Sequence, residues 1–335
     1  MNVFNCTVKI IPRSGTAGIR FAQYQLGVLS RTLSTAVGSS GEKHSSIKLY
    51  QYQICPFCNK VKALLDYSRT PYESIEVNPL TKSELKKDLG VEYTKVPIAV
   101  IDGKQVNGSK EIIEEIIRTK KANLEARWAE EFERLDVTVE AKSDIVPFDE
   151  FDFETDESAE WLEWADDELA ALLYPNLCRT FSDSYKAFSY VDEVPHFSAM
   201  QRISIKTVGG FAMWMAASKV KKRMNIQDER EALEYALNVW EGSGLNERRF
   251  NSGWNCSPNL SDIVVYGVLR SVEGMNVFDE VIVPRKRIFR WYKDMRSFVD
   301  PNQKPLPFTA EEIDDILDDF DDEEAYMEME NRKRF

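Results

Sequence analysis

From Ile47 to Ile54 the chain runs through strand-type residues (IKLYQYQI), and Val61, Leu64 and Leu65 then recur at helical spacing. The same exchange of patterns repeats. A strand is predicted over Tyr72–Val77, a helix over about Thr81–Leu89, and two short strands over Val96–Ile101 and Lys104–Val106. Asp102-Gly103 between those two strands is a strong hairpin signal. Ser109 then opens a helix with Ile112, Ile113, Ile116 and Ile117 on its apolar side. After Glu160 only helical periods remain. Trp161, Trp164, Leu169, Leu172 and Leu173 start the series, and helices are predicted at about Ala199–Met224, Asp228–Trp240, Asn259–Val272 and Pro284–Phe298. Asn259 and Asp262 have the spacing of a reciprocal helix cap. The apolar run Phe211–Ala217 is too short to span a bilayer and reads as a buried helix.

The order βαβαββα is that of the thioredoxin and glutaredoxin folds. The expected fold class is therefore an α/β thioredoxin/glutaredoxin-like domain followed by an all-α domain. Residues 45–120 form the first domain and 159–300 the second. Residues 121–158 read as an acidic connector with one helix at Asn123–Leu135, and 301–335 as an acidic tail.

Charge sharpens the picture at both ends. The chain has 335 residues and a net charge of −13. Glu311–Phe335 alone carries twelve acidic and three basic residues, a solvating end of net −9. No Lys/Arg stripe marks a nucleic-acid surface, so nucleic acid is not an expected partner. The first 41 residues hold no Asp or Glu but carry Lys9, Arg13, Arg20 and Arg31. That composition, within residues 1–44, reads as a transit peptide, mitochondrial first; chloroplast peptides share it, and a basic leader without an address is the plainer alternative. No apolar stretch is long enough for a transmembrane helix.

The chemistry lies where the first strand meets the first helix, at Cys55-Pro56-Phe57-Cys58. Five cysteines in a chain of this length do not make a disulfide framework. Zinc needs a second ligand pair, and the only histidines are His44 and His196, so no metal is expected. A c-type haem needs a histidine where Asn59 stands. Two plain buried cysteines would leave the strand–CPFC–helix placement unexplained. A thiol-active site remains, in which the helix start stabilises a Cys55 thiolate and Cys58, one turn deeper, is its resolving partner. Tyr52 and an exposed Phe57 are candidate walls, although packing explains Tyr52 at least as well. Lys60 and Lys62 add positive charge, or are simply solvated. Val96-Pro97 is expected to be cis and to offer the Val96 backbone to an extended peptide. Asn107-Gly108-Ser109 opens a helix whose free N–H groups and Ser109 hydroxyl can hold a carboxylate. Thiolate, backbone edge and anion hole together suit glutathione.

The segments LYQYQICPFCNKVKALLDY, PYESIEVNPL and KVPIAV resemble the prostaglandin E synthase 2 family. So do WLEWADDELAALLYPNLCRT, GGFAMWMAASKVKKRMNIQDERE and PNLSDIVVYGVLRSVEGMNVFDE, in order. The resemblance implies a helical domain of the glutathione-transferase C-terminal type, isomerisation of prostaglandin H2 to prostaglandin E2, and binding of glutathione and haem. It matches Cys55 to the family's essential cysteine, Tyr52 and Phe57 to neighbouring aromatics, and Val96 and Pro97 to glutathione-binding backbone. Gly108 and Ser109 fall on an Asp-Ser pair, so the acidic residue that meets the α-amino group of glutathione is missing at 108. An apolar groove for a lipid substrate would draw on Met213, Trp214 and Met215, for which core packing is the stronger reading. A disulfide exchanger or transferase acting on a thiol substrate, and a non-catalytic glutathione- or haem-binding adaptor, are the competing functions. Peripheral membrane contact and a homodimer complete the expected partners.

Overall fold

Leu49 and Tyr50 lose nearly all exposure, which makes their strand the centre of a sheet. The computed structural model describes residues 46–90, 93–134, 156–253 and 257–301, with 306, 308 and 313. The predicted transit segment, most of the acidic connector and nearly all of the acidic tail lie outside the described residues.

The sheet has four strands, β1 (Ile47–Gln51), β2 (Glu73–Glu76), β3 (Ile98–Ile101) and β4 (Lys104–Asn107), in the order β2-β1-β3-β4. β1 runs parallel to β2 and antiparallel to β3, and β3 pairs antiparallel with β4. The predicted hairpin forms at Asp102 and Gly103, both with positive φ, the geometry that matches the twist of two paired strands. The strand predicted to Ile54 stops at Gln51, because Tyr52 to Cys55 closes a turn in which Cys55 N–H donates to Tyr52 C=O at 3.0 Å.

Helix α1 (Pro56–Tyr67) and the short α2 (Ser83–Asp88) cross between strands, and α3 (Ser109–Arg134) follows the hairpin. Helix α3 runs unbroken to Arg134, so the helix expected separately at Asn123–Leu135 is its continuation. The rest is helical: α4 (Asp156–Trp164), α5 (Ala170–Leu177), α6 (Phe181–Ala187), α7 (Ala199–Ser204), α8 (Gly210–Met224), α9 (Glu229–Val239), α10 (Leu260–Arg270) and α11 (Lys286–Val299). Single π-helical turns at Ala165–Leu169 and Ile205–Gly209 join α4 to α5 and α7 to α8. The chain divides into two compact units, one of Ser45–Ile113 with Asp152–Phe335, the other of Met1–His44 with Glu114–Phe151. The described part of the latter is the helical stretch Glu114–Arg134.

Within the larger unit α10 is buried along its whole length from Leu260 to Leu269. The predicted cap is present: Asp262 N–H donates to Asn259 Oδ1 at 3.0 Å, and Asn259 N–H to Asp262 Oδ2 at 3.1 Å. The Asp262 carboxylate also accepts from Trp291 Nε1 and Asn251 N–H, and burial raises its pKa to about 6 against those bonds. Trp240 is packed among Trp161, Trp164 and Trp291, with ring centroids 5.0 to 6.2 Å away. Helices α1 and α10 meet at Gly267, beneath the backbone of Asn59 and Lys60. Arg270 on α10 then pairs with Asp66 on α1 at 2.7 Å.

Phe211–Ala217 does not form a buried helix. Phe211 is 54% and Met215 46% exposed, while Ala217 faces inward. The run is one apolar side of α8, turned outward.

Candidate functional site

The register gathers the predicted residues at one end of the sheet. Tyr50 lies opposite Ile98, so Tyr52 and the turn that follows fall beside Pro97 and Val96. Ile98 lies opposite Asn107, and Gly108 N–H donates to Pro97 C=O at 3.1 Å. Cys55, Val96, Pro97, Gly108 and Ser109 thus lie at the same end of the sheet. The Val96–Pro97 bond is cis. Neither the N–H nor the C=O of Val96 enters a hydrogen bond with a described residue.

Cys55 is the N-cap of α1, with extended backbone and a half-buried side chain, and Pro56 occupies the first helical position. Cys58 is fully buried one turn below. The two thiols are driven apart. Cys55 is lowered first by the hydrogen bond that Cys58 donates, then by the backbone N–H groups of Cys58 and Phe57 and the charge of Lys60, against the effect of burial. Cys58 is raised well above the ordinary thiol range by burial, by the same hydrogen bond and by the neighbouring charge on Cys55. An activated thiolate over a protonated thiol is the result.

Lys60 is not solvated. It is 1% exposed and its Nζ sits on the Asp166 carboxylate, which the first π-helical turn delivers. Burial pushes its pKa down to about 7, opposed by Cys55, Asp167 and Glu111. The contact with Asp166 favours the charged form. Lys60 Nζ also lies 5.3 Å from the centroid of Phe57, which is half-buried rather than exposed as predicted. Lys62 is lowered by burial and stands among Arg270, Asp66, Glu76 and Cys58.

Tyr52 packs against the cluster of Tyr50, Val77, Leu85 and Ile98, with Lys82 Nζ 4.5 Å from its ring centroid. Its hydroxyl is buried without a hydrogen-bond partner among the described residues. Packing is therefore at least part of its role. Met213, Trp214 and Met215 sit on α8. The Tyr174 hydroxyl donates to Met213 C=O at 3.3 Å, and Met215 faces outward. The elements packed most closely on α1 are α10, α11 and α5.

Three residues of the site escaped the sequence reading. Asn59 donates through Nδ2 to Gln53 C=O at 2.7 Å and Cys55 C=O at 3.0 Å, which ties the turn to the helix. Glu76, buried at the end of β2, accepts from Gln51 Nε2 and Gln53 N–H, both at 3.0 Å. Burial raises its pKa to about 7, with the Gln53 bond opposing. No periodicity singles out either residue. The third is Glu111. Gly108 has φ +94, and the Glu111 carboxylate fills the space that a Cβ on Gly108 would take. An acidic group is thus present where the resemblance expects one at 108.

Glutathione fits these residues: an open backbone edge at Val96, the start of α3 at Gly108 and Ser109 for a carboxylate, and Glu111 for an ammonium. His196, the one histidine described, places Nε2 3.0 Å from Glu76 C=O, and haem stays an expectation of the resemblance alone. Among the described residues no cluster of His, Cys, Asp or Glu could hold a metal ion, and no helix is long and apolar enough to cross a membrane.

Residues 49–123 match the family model described as the glutathione S-transferase N-terminal domain. Among solved structures, human glutathione transferase theta-2 in complex with glutathione is similar, at 14% identity and a TM-score of 0.44 over 81% of this chain and 88% of that one. Prostaglandin E synthase 2 of Danio rerio is 34% identical over 275 residues, 75% of this chain and 70% of the relative. Prostaglandin E synthase 2 of Mus musculus is 33% identical over 277 residues, 76% and 70%. With a cysteine pair polarised at the end of a four-stranded sheet, a helical region packed on it, and relatives matched along most of both chains, the protein belongs to the prostaglandin E synthase 2 family.

Proposed function

We propose that the protein is a glutathione-binding thiol enzyme that isomerises prostaglandin H2 to prostaglandin E2, with Cys55 as the working residue. The observation that carries this reading is the split pair: a lowered Cys55 thiol beneath which Cys58 is held protonated. In the reaction the Cys55 thiolate attacks one endoperoxide oxygen. An S–O bond forms, the O–O bond breaks, and the departing oxygen takes a proton to become the hydroxyl. Loss of the proton on the carbon that bears the sulfur-bound oxygen makes the ketone and expels the thiolate. The sum is an isomerisation, with no reductant consumed. Val96, Gly108, Ser109 and Glu111 would hold glutathione, which supplies a second thiol beside Cys55.

The hydrogen bond from Cys58 to Cys55 favours a second reading, glutaredoxin-type exchange on glutathione mixed disulfides, in which Cys58 resolves the adduct on Cys55. Both are tested by assaying wild type, Cys55→Ser and Cys58→Ser on the endoperoxide and on a glutathione mixed disulfide. The isomerase reading expects endoperoxide turnover that survives Cys58→Ser and vanishes in Cys55→Ser. A wild type that turns over only the disulfide would leave the exchange reading alone standing.

A further inference from the structure

Ala199–Met224, the run of α7, its π-helical turn and α8, contains six Lys and Arg residues and no Asp or Glu, in a chain of net charge −13. Its outward side is apolar. Met200, Ile203, Val208, Phe211 and Met215 are 79, 61, 59, 54 and 46% exposed, and they follow one another at steps of about one helical turn. Phe181 and Tyr185 of α6 widen this surface, with the Phe181 ring 6.5 Å from that of Phe211. Seven of the ten large apolar side chains that are exposed among the described residues therefore share one face. Isolated exposed apolar groups need no explanation, but a concentration of them does.

The charge surrounding this face points to its occupant. Lys206 is paired with Asp192 and Lys221 with Glu229, and Arg202 donates to Val194 C=O. Lys219, Lys222 and Arg223 are exposed and make no ion pair among the described residues. Lys219 and Lys222 stand four and seven positions after Met215, on the same side of the helix. An apolar stripe continued by unpaired cations is the pattern of a helix that lies in the surface of an anionic bilayer. A second copy suits the face less well, since a two-fold contact would set two acid-free basic helices against each other.

We infer that the α7–α8 face seats the protein on anionic lipid surfaces, with Phe211 and Met215 entering the acyl boundary and Lys219 and Lys222 meeting the headgroups. This holds whichever reaction Cys55 performs. The test is flotation of the full chain with vesicles of phosphatidylcholine alone and of phosphatidylcholine with phosphatidylserine. Wild type is expected to float with the anionic vesicles and to be released by salt. The double variant Phe211→Ser/Met215→Ser should bind at least about tenfold more weakly, and Lys219→Ser/Lys222→Ser should lose the preference for anionic lipid. All of these side chains are exposed, so circular dichroism and Cys55 alkylation should match wild type. No binding to either vesicle overturns the inference. So does binding unchanged in both variants, which would place the attraction elsewhere, as in the basic first 41 residues. A dimer that fails to float and that Phe211→Ser dissociates would instead identify the face as a contact between copies.

Discussion

Gly267→Ala tests whether the approach of α10 to α1 sets the active thiol. A Cβ at Gly267 would lie 2.6 Å from Lys60 Cα, 2.8 Å from Asn59 C=O oxygen and 2.9 Å from Lys60 N. All three are backbone atoms, so no side chain can swing aside. Carbon atoms at rest stand about 3.5–4.0 Å apart, so the helices must part by roughly 1 Å. Overpacking of this kind costs about 1–3 kcal/mol, against which the better helix propensity of alanine returns about 0.5–1 kcal/mol. A net loss of about 1–2 kcal/mol corresponds to a fall in Tm of roughly 2–8 °C for a folded body of this size. The displaced residues include Asn59, whose side chain holds the Cys55 carbonyl, so the Cys55 thiol should also shift. The assays are thermal unfolding followed by circular dichroism and the pH dependence of Cys55 alkylation. Gly242→Ala is the control, because nothing lies within 4 Å of its Cβ position and no melting loss is expected. A Gly267→Ala protein that melts at or above wild type with unchanged alkylation would refute the argument.

Two further predictions concern charge. Burial raises Glu76 from 4.5 to about 7, so the folded state holds its proton more tightly and stability should fall as pH rises through that window, by roughly 3 kcal/mol; Glu76→Gln should flatten this slope in denaturant titrations at a series of pH values, and an unchanged slope would assign it to other groups. Cys58→Ala should raise the Cys55 thiol pKa more than Lys60→Met does, because the bond from Cys58 is the largest influence lowering it and Lys60 the smallest; thiolate ultraviolet absorbance against pH measures the order, and the reverse order would sink the account.

What the sequence disclosed followed from local rules. β1 and the hairpin carry strand-type residues and a turn dipeptide, and the Asn259–Asp262 cap has a fixed spacing. Cys55 and Cys58 stand out by spacing alone. What stayed hidden depends on partners distant in sequence. Lys60 looks like any surface lysine until a π-helical turn more than a hundred residues later brings Asp166 to it. Glu76 ends a strand whose pattern says nothing of the side to which its carboxylate turns. The apolar run around Phe211 and Met215 gives composition alone, while the side it faces is set by α8 packing through Ala217. Helix α6 starts on the same local signal: Thr180 and Asp183 form a reciprocal cap of the same spacing as Asn259 and Asp262.

The two cysteines divide their work through one proton. The hydrogen bond from Cys58 stabilises the Cys55 thiolate, and that thiolate in turn holds the proton on Cys58. Burial is the largest part of the second effect, and Glu76, whose charge raises Cys58 further, adds to it. Disulfide exchange asks Cys58 to give up this proton and attack, against its burial and the charges of Cys55 and Glu76, with Lys62 alone among these influences pulling the other way. Thiolate catalysis asks Cys58 only to keep it. The surroundings therefore favour chemistry in which Cys58 is a permanent donor to Cys55, and this is why the isomerase reading expects a serine at 58, which can also donate, to preserve turnover. Exchange would require a conjugate partner: a mixed disulfide on Cys55 removes the thiolate, and with it the neighbouring charge that raises Cys58. The adduct would then lift part of the hold on the resolving thiol, with burial and Glu76 remaining, and the Cys58→Ser comparison distinguishes a donor that never leaves its post from one that waits for the adduct.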